Sequence, residues 1–169
     1  MDDPIIVRDF VPGLIGRLVA LHAAYYAAEW SFGMFFEARV ARDLAEFVGR
    51  YDPARDGIWS LHCGGRIEGA IAIDGLHAAA EGAHLRWFVV SERLRGQGHG
   101  ERLISAALAH VDECAFAKTY LWTFAGLDAA RHLYRRHGFE LRAEHPGEQW
   151  GTRVLEQRFE RSTPGVSGG

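Results

Sequence analysis

The chain has 169 residues, 48% of them hydrophobic and 24% charged, with a formal charge of -3 at pH 7. That balance predicts one soluble domain able to bury its own core without disulfides or a structural metal, and it lacks the basic surplus of a nucleic-acid binder. Cys63 and Cys114 have no metal-ligand spacing, Met1-Asp2-Asp3-Pro4 opens acidic unlike a leader peptide, and no apolar run is long enough to span a bilayer, so no membrane is expected and the expected location is the cytoplasm.

Ile5-Ile6-Val7 predicts a short strand. Pro12 then opens an amphipathic helix over Leu14–Tyr26, overlapped by an aromatic cluster of Tyr25, Tyr26, Trp30, Phe32, Phe35 and Phe36. A second helix is predicted from Phe36 to about Val48, with Val40, Leu44, Phe47 and Val48 inward, and the stretch 51–57 is a turn-rich loop. Gly64-Gly65 between Ile58–His62 and Ile67–Ile73 signals a hairpin. Leu85–Val90, apolar on both faces apart from Arg86, predicts a central strand. A helix from about Gly100 to Phe116 follows, with Leu103, Ile104, Ala107, Leu108 and Val111 inward. Then come a strand over Thr119–Phe124 and a helix over Ala129–His137 stopped by Gly138. Phe139–Ala143 and Arg153–Phe159 make a closing antiparallel pair, and Ser162–Gly169, rich in Ser, Gly and Pro, is expected to be a disordered tail behind a single domain of residues 1–161. The order predicts an α/β fold, a mixed sheet with helices on both faces.

The strongest chemical signal is the strand Leu85-Arg86-Trp87-Phe88-Val89-Val90, a short loop, and then Arg95-Gly96-Gln97-Gly98-His99-Gly100 opening a helix. Glycines let backbone N–H groups approach a ligand closely, and a helix N-terminus adds unpaired N–H groups and the positive end of a dipole. Together they form a pyrophosphate cradle; alone, such a turn is also an ordinary tight connection. His99-Gly100-Glu101 lacks the Gly-Lys-Ser/Thr ending of a P-loop. The alternating glycines at mid-chain do not fit a dinucleotide fingerprint either.

Arg95-x-x-Gly98-x-Gly100 after an apolar strand resembles motif A of the GNAT superfamily, the general-control-related N-acetyltransferases. Ala130, Leu133, Tyr134 and Gly138-Phe139 resemble a second block of the superfamily, at the expected distance downstream. The element order is similar from about Ile5 to Phe159, and parts of the chain also resemble acetyltransferase domains sometimes fused to winged-helix regulators. The resemblance implies a mostly antiparallel twisted sheet with helices on both faces and acetyl-CoA as co-substrate.

It further implies that the backbone of Phe88, Val89 and Val90 receives the pantetheine arm, like an added strand beside a splayed neighbour. Gly96 through Gly100 would cradle the pyrophosphate, Arg95 lending charge or packing the turn, and Gln97 and His99 giving only backbone N–H groups. His99 has no partner at ligand spacing, so no metal is expected. Tyr134 matches the tyrosine that protonates the departing CoA thiolate and also touches the cofactor; the competing reading is a ring packed on the sheet. Where many relatives carry an Asn touching the CoA arm, seven residues before the tyrosine, this chain has Leu127, and Asp128 beside it is no obvious substitute.

His84 falls where some relatives place a catalytic glutamate, so it is the first candidate to deprotonate the amine, ahead of Glu81 and Glu29; otherwise it is a solvent-exposed histidine. Strand alternation puts His84, Arg86, Phe88 and Val90 on one face. The aromatic cluster is either core or a wall of the acceptor pocket. The predicted activity is acetyl transfer from acetyl-CoA to a primary amine by direct attack in a ternary complex, with a non-catalytic acyl-CoA-binding or sensing module as the alternative. The expected partner is a small-molecule or peptide amine, with a homodimer as a further expectation carried by the resemblance.

Overall fold

Gly64 and Gly65 both have positive φ (57° and 73°), the geometry of a two-residue hairpin turn, and they fold β2 (Gly57–Cys63) back on β3 (Arg66–Asp74). In the computed structural model, which describes residues 2–166, this hairpin is the nucleus of a seven-stranded sheet. The other strands are β1 (Ile5–Arg8), β4 (Ala83–Val90), β5 (Lys118–Phe124), β6 (Glu140–Gly147) and β7 (Val154–Ser162), in the order β1-β2-β3-β4-β5-β7-β6. Neighbours run antiparallel except β4 and β5, which are parallel. The mixed α/β, mostly antiparallel sheet is therefore the one expected, with β4 at its centre.

Helices cover both faces. The predicted stripe of α3 (His99–Glu113), Leu103, Ile104, Ala107, Leu108 and Val111, is buried against Leu61, Ile71, Leu85 and Leu121. On the opposite face, Leu14 and Leu18 of α1 (Leu14–Trp30) and Leu44 and Phe47 of α2 (Met34–Gly49) pack on Ile58, Ala70 and Ala72. The short α4 (Asp128–Arg136) adds Tyr134 to the α3 side.

Several boundaries differ from the prediction for physical reasons. α1 runs four residues past Tyr26, because Ala27-Ala28-Glu29 are strong helix formers, and stops where Ser31 turns left-handed (φ 58°). α3 stops at Glu113 rather than Phe116, since Ala115 is left-handed (φ 53°). β6 extends to Gly147 through exposed polar residues and Pro146, which an edge strand tolerates. The expectation of a disordered tail does not hold for its first two residues. Ser162 belongs to β7, and Thr163 is buried, its N–H donating to the Ala117 carbonyl at 2.9 Å. Residues 167–169 of that expectation lie outside the described residues.

Candidate active site

Two irregularities in β4 make the site. Ala70 pairs with Val89 and Ala72 with Arg86, so Trp87 and Phe88 together face the single residue Ile71, a β-bulge with Trp87 left-handed at φ 48°. On its other side β4 pairs with β5 only at Ala83–Thr119 and His84–Tyr120. From Leu85 onward the two strands diverge, leaving main-chain groups of β4 without a strand partner on that side. The opening is a cleft of about 680 Å³, bordered by both strands and by α1, α2 and α4.

The bulge corrects the expected facing of the strand. Leu85 and Phe88 pack with the α3 and α4 core, Val90 likewise, while Trp87 packs on Phe47 of α2 and Arg86 reaches Asp43 of α2. Simple alternation put Arg86, Phe88 and Val90 on one face together with His84; the extra residue moves Phe88 and Val90 to the opposite side.

The glycine turn lies at the mouth of this cleft. Arg95, Gly96 and Gly100 line it, together with Phe88, Val89 and Val90, whereas Gln97, Gly98 and His99 lie outside its lining. Gly96 and Gly98 have positive φ (71° and 84°) and no atom within 4 Å of where a Cβ would stand, so the surface above the turn is open to a ligand. Gly98 is the N-cap of α3 and offers no side-chain cap, leaving the first-turn N–H groups to other acceptors. Both neighbouring side chains are engaged within the protein: Gln97 Nε2 donates to the Arg93 carbonyl at 3.0 Å, and buried His99 has Nδ1 3.2 Å from Arg102 Nη1. Arg95 packs the turn, donating from Nε to the Val90 carbonyl at 3.0 Å and lying 4.3 Å over the Tyr25 ring. These features fit a pyrophosphate with an extended arm.

Tyr134 is buried, with Phe139 and Phe159 at ring distances of 5.9 and 6.2 Å and Phe88 at 6.2 Å. It also lines the cleft, and no hydrogen bond engages its hydroxyl among the described residues. Burial, then the nearby Tyr26 phenol, hold its pKa above the ordinary 10, so it keeps its proton. Packing ring and proton donor are thus compatible readings. Leu127 and Asp128 line the cleft nearby, Leu127 where relatives have the Asn.

His84 lines the cleft too, stacked on Tyr120 at 4.5 Å. It is neither solvent-exposed nor a strong base. Burial, then Arg86, lower its pKa to about 3, against the weaker opposing pull of Asp74. A neutral imidazole of that kind accepts hydrogen bonds but takes a proton poorly. Glu81 and Glu29 are exposed and outside the cleft lining, Glu81 accepting from the Tyr120 hydroxyl at 3.5 Å. The aromatic cluster divides between the two roles: Phe32 and Phe36 are buried, and Tyr25, Tyr26 and Phe36 line the cleft.

Sequence reasoning missed His22, Arg39, Asp43, Trp122 and Trp150, which also line the cleft. His22 was within reach, because it continues the Leu14, Leu18 spacing of α1 by one further turn. Its Nδ1 meets the Leu18 carbonyl at 2.8 Å, and burial lowers its pKa to about 4.

Residues 16–139 match the acetyltransferase (GNAT) family. The chain belongs to that family. The fold is shared with an acetyltransferase of the GNAT family from Staphylococcus aureus Mu50, at 16% identity, TM-score 0.77, and coverage of 95% of this chain and 99% of that one. An acetyltransferase from Streptococcus agalactiae 2603 is similar at 15% identity and TM-score 0.75, covering 95% and 98%. A ribosomal-protein-alanine N-acetyltransferase from Brucella melitensis is similar at 16% identity and TM-score 0.73, covering 94% and 99%. Among curated proteins, none matches the sequence. Family membership carries acyl-CoA-dependent acetyl transfer; among the described residues no cluster of three or more His, Cys, Asp or Glu is arranged for a metal, and no helix is long and apolar enough to cross a membrane.

Proposed function

We propose that the chain transfers an acetyl group from acetyl-CoA to a primary amine by direct attack in a ternary complex. The observation carrying this reading is that one cleft joins the unpaired edge of β4, the turn before the uncapped N-terminus of α3, and the Tyr134 hydroxyl. Acetyl-CoA supplies the activated thioester. The turn Arg95–Gly100 would hold its pyrophosphate and the main chain of Phe88–Val90 its pantetheine arm. The amine nitrogen forms a bond to the acetyl carbon and gives up its surplus proton to water, the carbon–sulfur bond breaks, and Tyr134 gives its proton to the leaving sulfur and is reprotonated from solvent. Cys63 is buried on β2 and Cys114 follows α3, neither in the cleft lining, which supports direct attack over an acyl-enzyme.

Release of CoA thiol from acetyl-CoA over a panel of primary amines tests the reading. A second reading, a non-catalytic acyl-CoA-binding module, is favoured by one observation: both imidazoles in the cleft, His22 and His84, are weak bases. It predicts a thermal shift with acetyl-CoA and no thiol release with any amine. No shift at all would overturn both.

A further inference from the structure

The cleft lining is rich in hydrogen-bond donors. Trp87, Trp122 and Trp150 all line it half-buried, and none of their indole N–H groups is paired to the protein or sealed from solvent among the described residues. Arg39 and Arg86 line the same cleft, with Asp43 as the carboxylate between them. Asp43 meets Arg42 at 3.1 Å, Arg39 at 3.4 Å and Arg86 at 3.8 Å. Asp74 meets Arg50 at 2.6 Å and Arg86 at 3.1 Å, and Arg50 meets Glu46 at 2.6 Å. The linked network therefore holds four guanidiniums and three carboxylates; the unbalanced cation is Arg42, exposed and outside the cleft lining, so the lining guanidiniums of Arg39 and Arg86 are matched by Asp43 and Asp74.

Arg39 Nη2 and Arg86 Nε make no hydrogen bond among the described residues, and planar guanidinium N–H groups of this kind match a further carboxylate. The pocket is also walled. Arg39 Nη1 donates to the Gln149 carbonyl, tying α2 to the loop between β6 and β7. Gly151 of that loop lies against Phe35, where a Cβ would come within 2.5 Å of Cδ1, and Trp150 packs on Phe124 at 5.5 Å.

Resting on the acetyl-transfer reading above, we propose that the acceptor is a small free amino acid with an apolar or aromatic side chain. Its carboxylate is held by Arg39 and Arg86, and its side chain lies among the indole rings.

The test compares matched acceptors: phenylalanine, methionine and tryptophan, the decarboxylated amine of each, and short peptides beginning with the same residues. CoA-thiol release is measured for each and corrected for the fraction of free amine. The free amino acids are expected to have kcat/KM at least about tenfold above their decarboxylated partners, the lower end of a charge-assisted hydrogen bond. Arg39→Gln is expected to reduce that preference by about 10- to 100-fold. A variant that merely loosened the loop would lower both partners alike and keep the ratio, which would overturn the role of Arg39. Equal or better turnover of the decarboxylated amines, or of the peptides, overturns the proposed acceptor class while leaving acetyl transfer standing. No thiol release with any amine, with the acetyl-CoA thermal shift intact, overturns acetyl transfer and this inference with it.

Discussion

Removing one oxygen atom separates the two roles open to Tyr134. Its ring is packed by Phe88, Phe139 and Phe159, and its hydroxyl has no partner among the described residues, so Tyr134→Phe keeps every ring contact and breaks no hydrogen bond among them. The stability change should stay within about 0.5 kcal/mol, and acetyl-CoA should still raise the Tm as it does in the wild type. The chemical step should suffer far more. Loss of a general acid costs about a hundredfold or more, and the loss belongs in kcat, because the interaction grows only as negative charge develops on sulfur. Since burial keeps the phenol protonated beyond its ordinary pKa of 10, the wild-type kcat profile should have no limb from Tyr134 between pH 6 and 9. Steady-state kinetics with a good acceptor, backed by a single-turnover measurement of chemistry, decide the matter. A single-turnover rate within about twofold of wild type would refute the assignment and leave Tyr134 as packing alone.

Further outcomes follow from the same geometry. Gly98→Glu and Gly100→Glu should abolish the acetyl-CoA thermal shift: the first puts a carboxylate on a left-handed turn open to the ligand, and the second builds a side chain against Phe88 Cζ, 3.4 Å from the new Cβ. His84→Ala should leave the shape of the kcat/KM profile between pH 6 and 9 unchanged, because a group with its pKa near 3 does not titrate there; a lost acidic limb would restore it as the base. His22, lowered from 6.5 to about 4, binds fewer protons folded than unfolded, so stability is intact above pH 6.5 and falls as pH drops toward 4. Its share between pH 7 and 5 is about 2 kcal/mol, and His22→Gln should flatten that part of a denaturant-midpoint profile against pH.

What was legible in the sequence was whatever repeats with a regular period. The stripe of α3, the Gly64-Gly65 hairpin and the central position of β4 follow from spacing and turn chemistry, and all three stand in the fold. The bulge at Trp87–Phe88 was not legible. A left-handed backbone is ordinarily signalled by Gly or Asn, and here a tryptophan adopts it, so alternation misassigned every residue beyond Arg86. The extra length of β6 was hidden because its residues are exposed and carry no apolar alternation. Arg39 gave no sign of its role because its partner, Gln149, lies 110 residues away on another element. His84 was found by position, but its basicity depends on burial and on Arg86 beside it, and neither can be read from spacing.

The bulge also explains how one strand serves both halves of the proposed reaction. A regular β4 would turn Trp87 and Leu85 to the same side. With one residue inserted, Arg86 and Trp87 turn toward α2, which carries Asp43 and Arg39, while Phe88 turns toward α4 and lies against Tyr134. The divergence of β5 immediately beyond His84 then opens the space between those two environments. A nucleophile entering from the α2 side and a leaving sulfur facing Tyr134 can therefore meet along the unpaired edge of β4. The strain of a left-handed tryptophan, of order 1–2 kcal/mol, is set against Trp87 packing on Phe47 and under the Arg86 guanidinium at 4.1 Å. Of the two residues that hold the irregular backbone, Phe47 belongs to the core and Arg86 lines the proposed acceptor side of the cleft, so the geometry of the strand and the shape of that pocket are linked through Arg86.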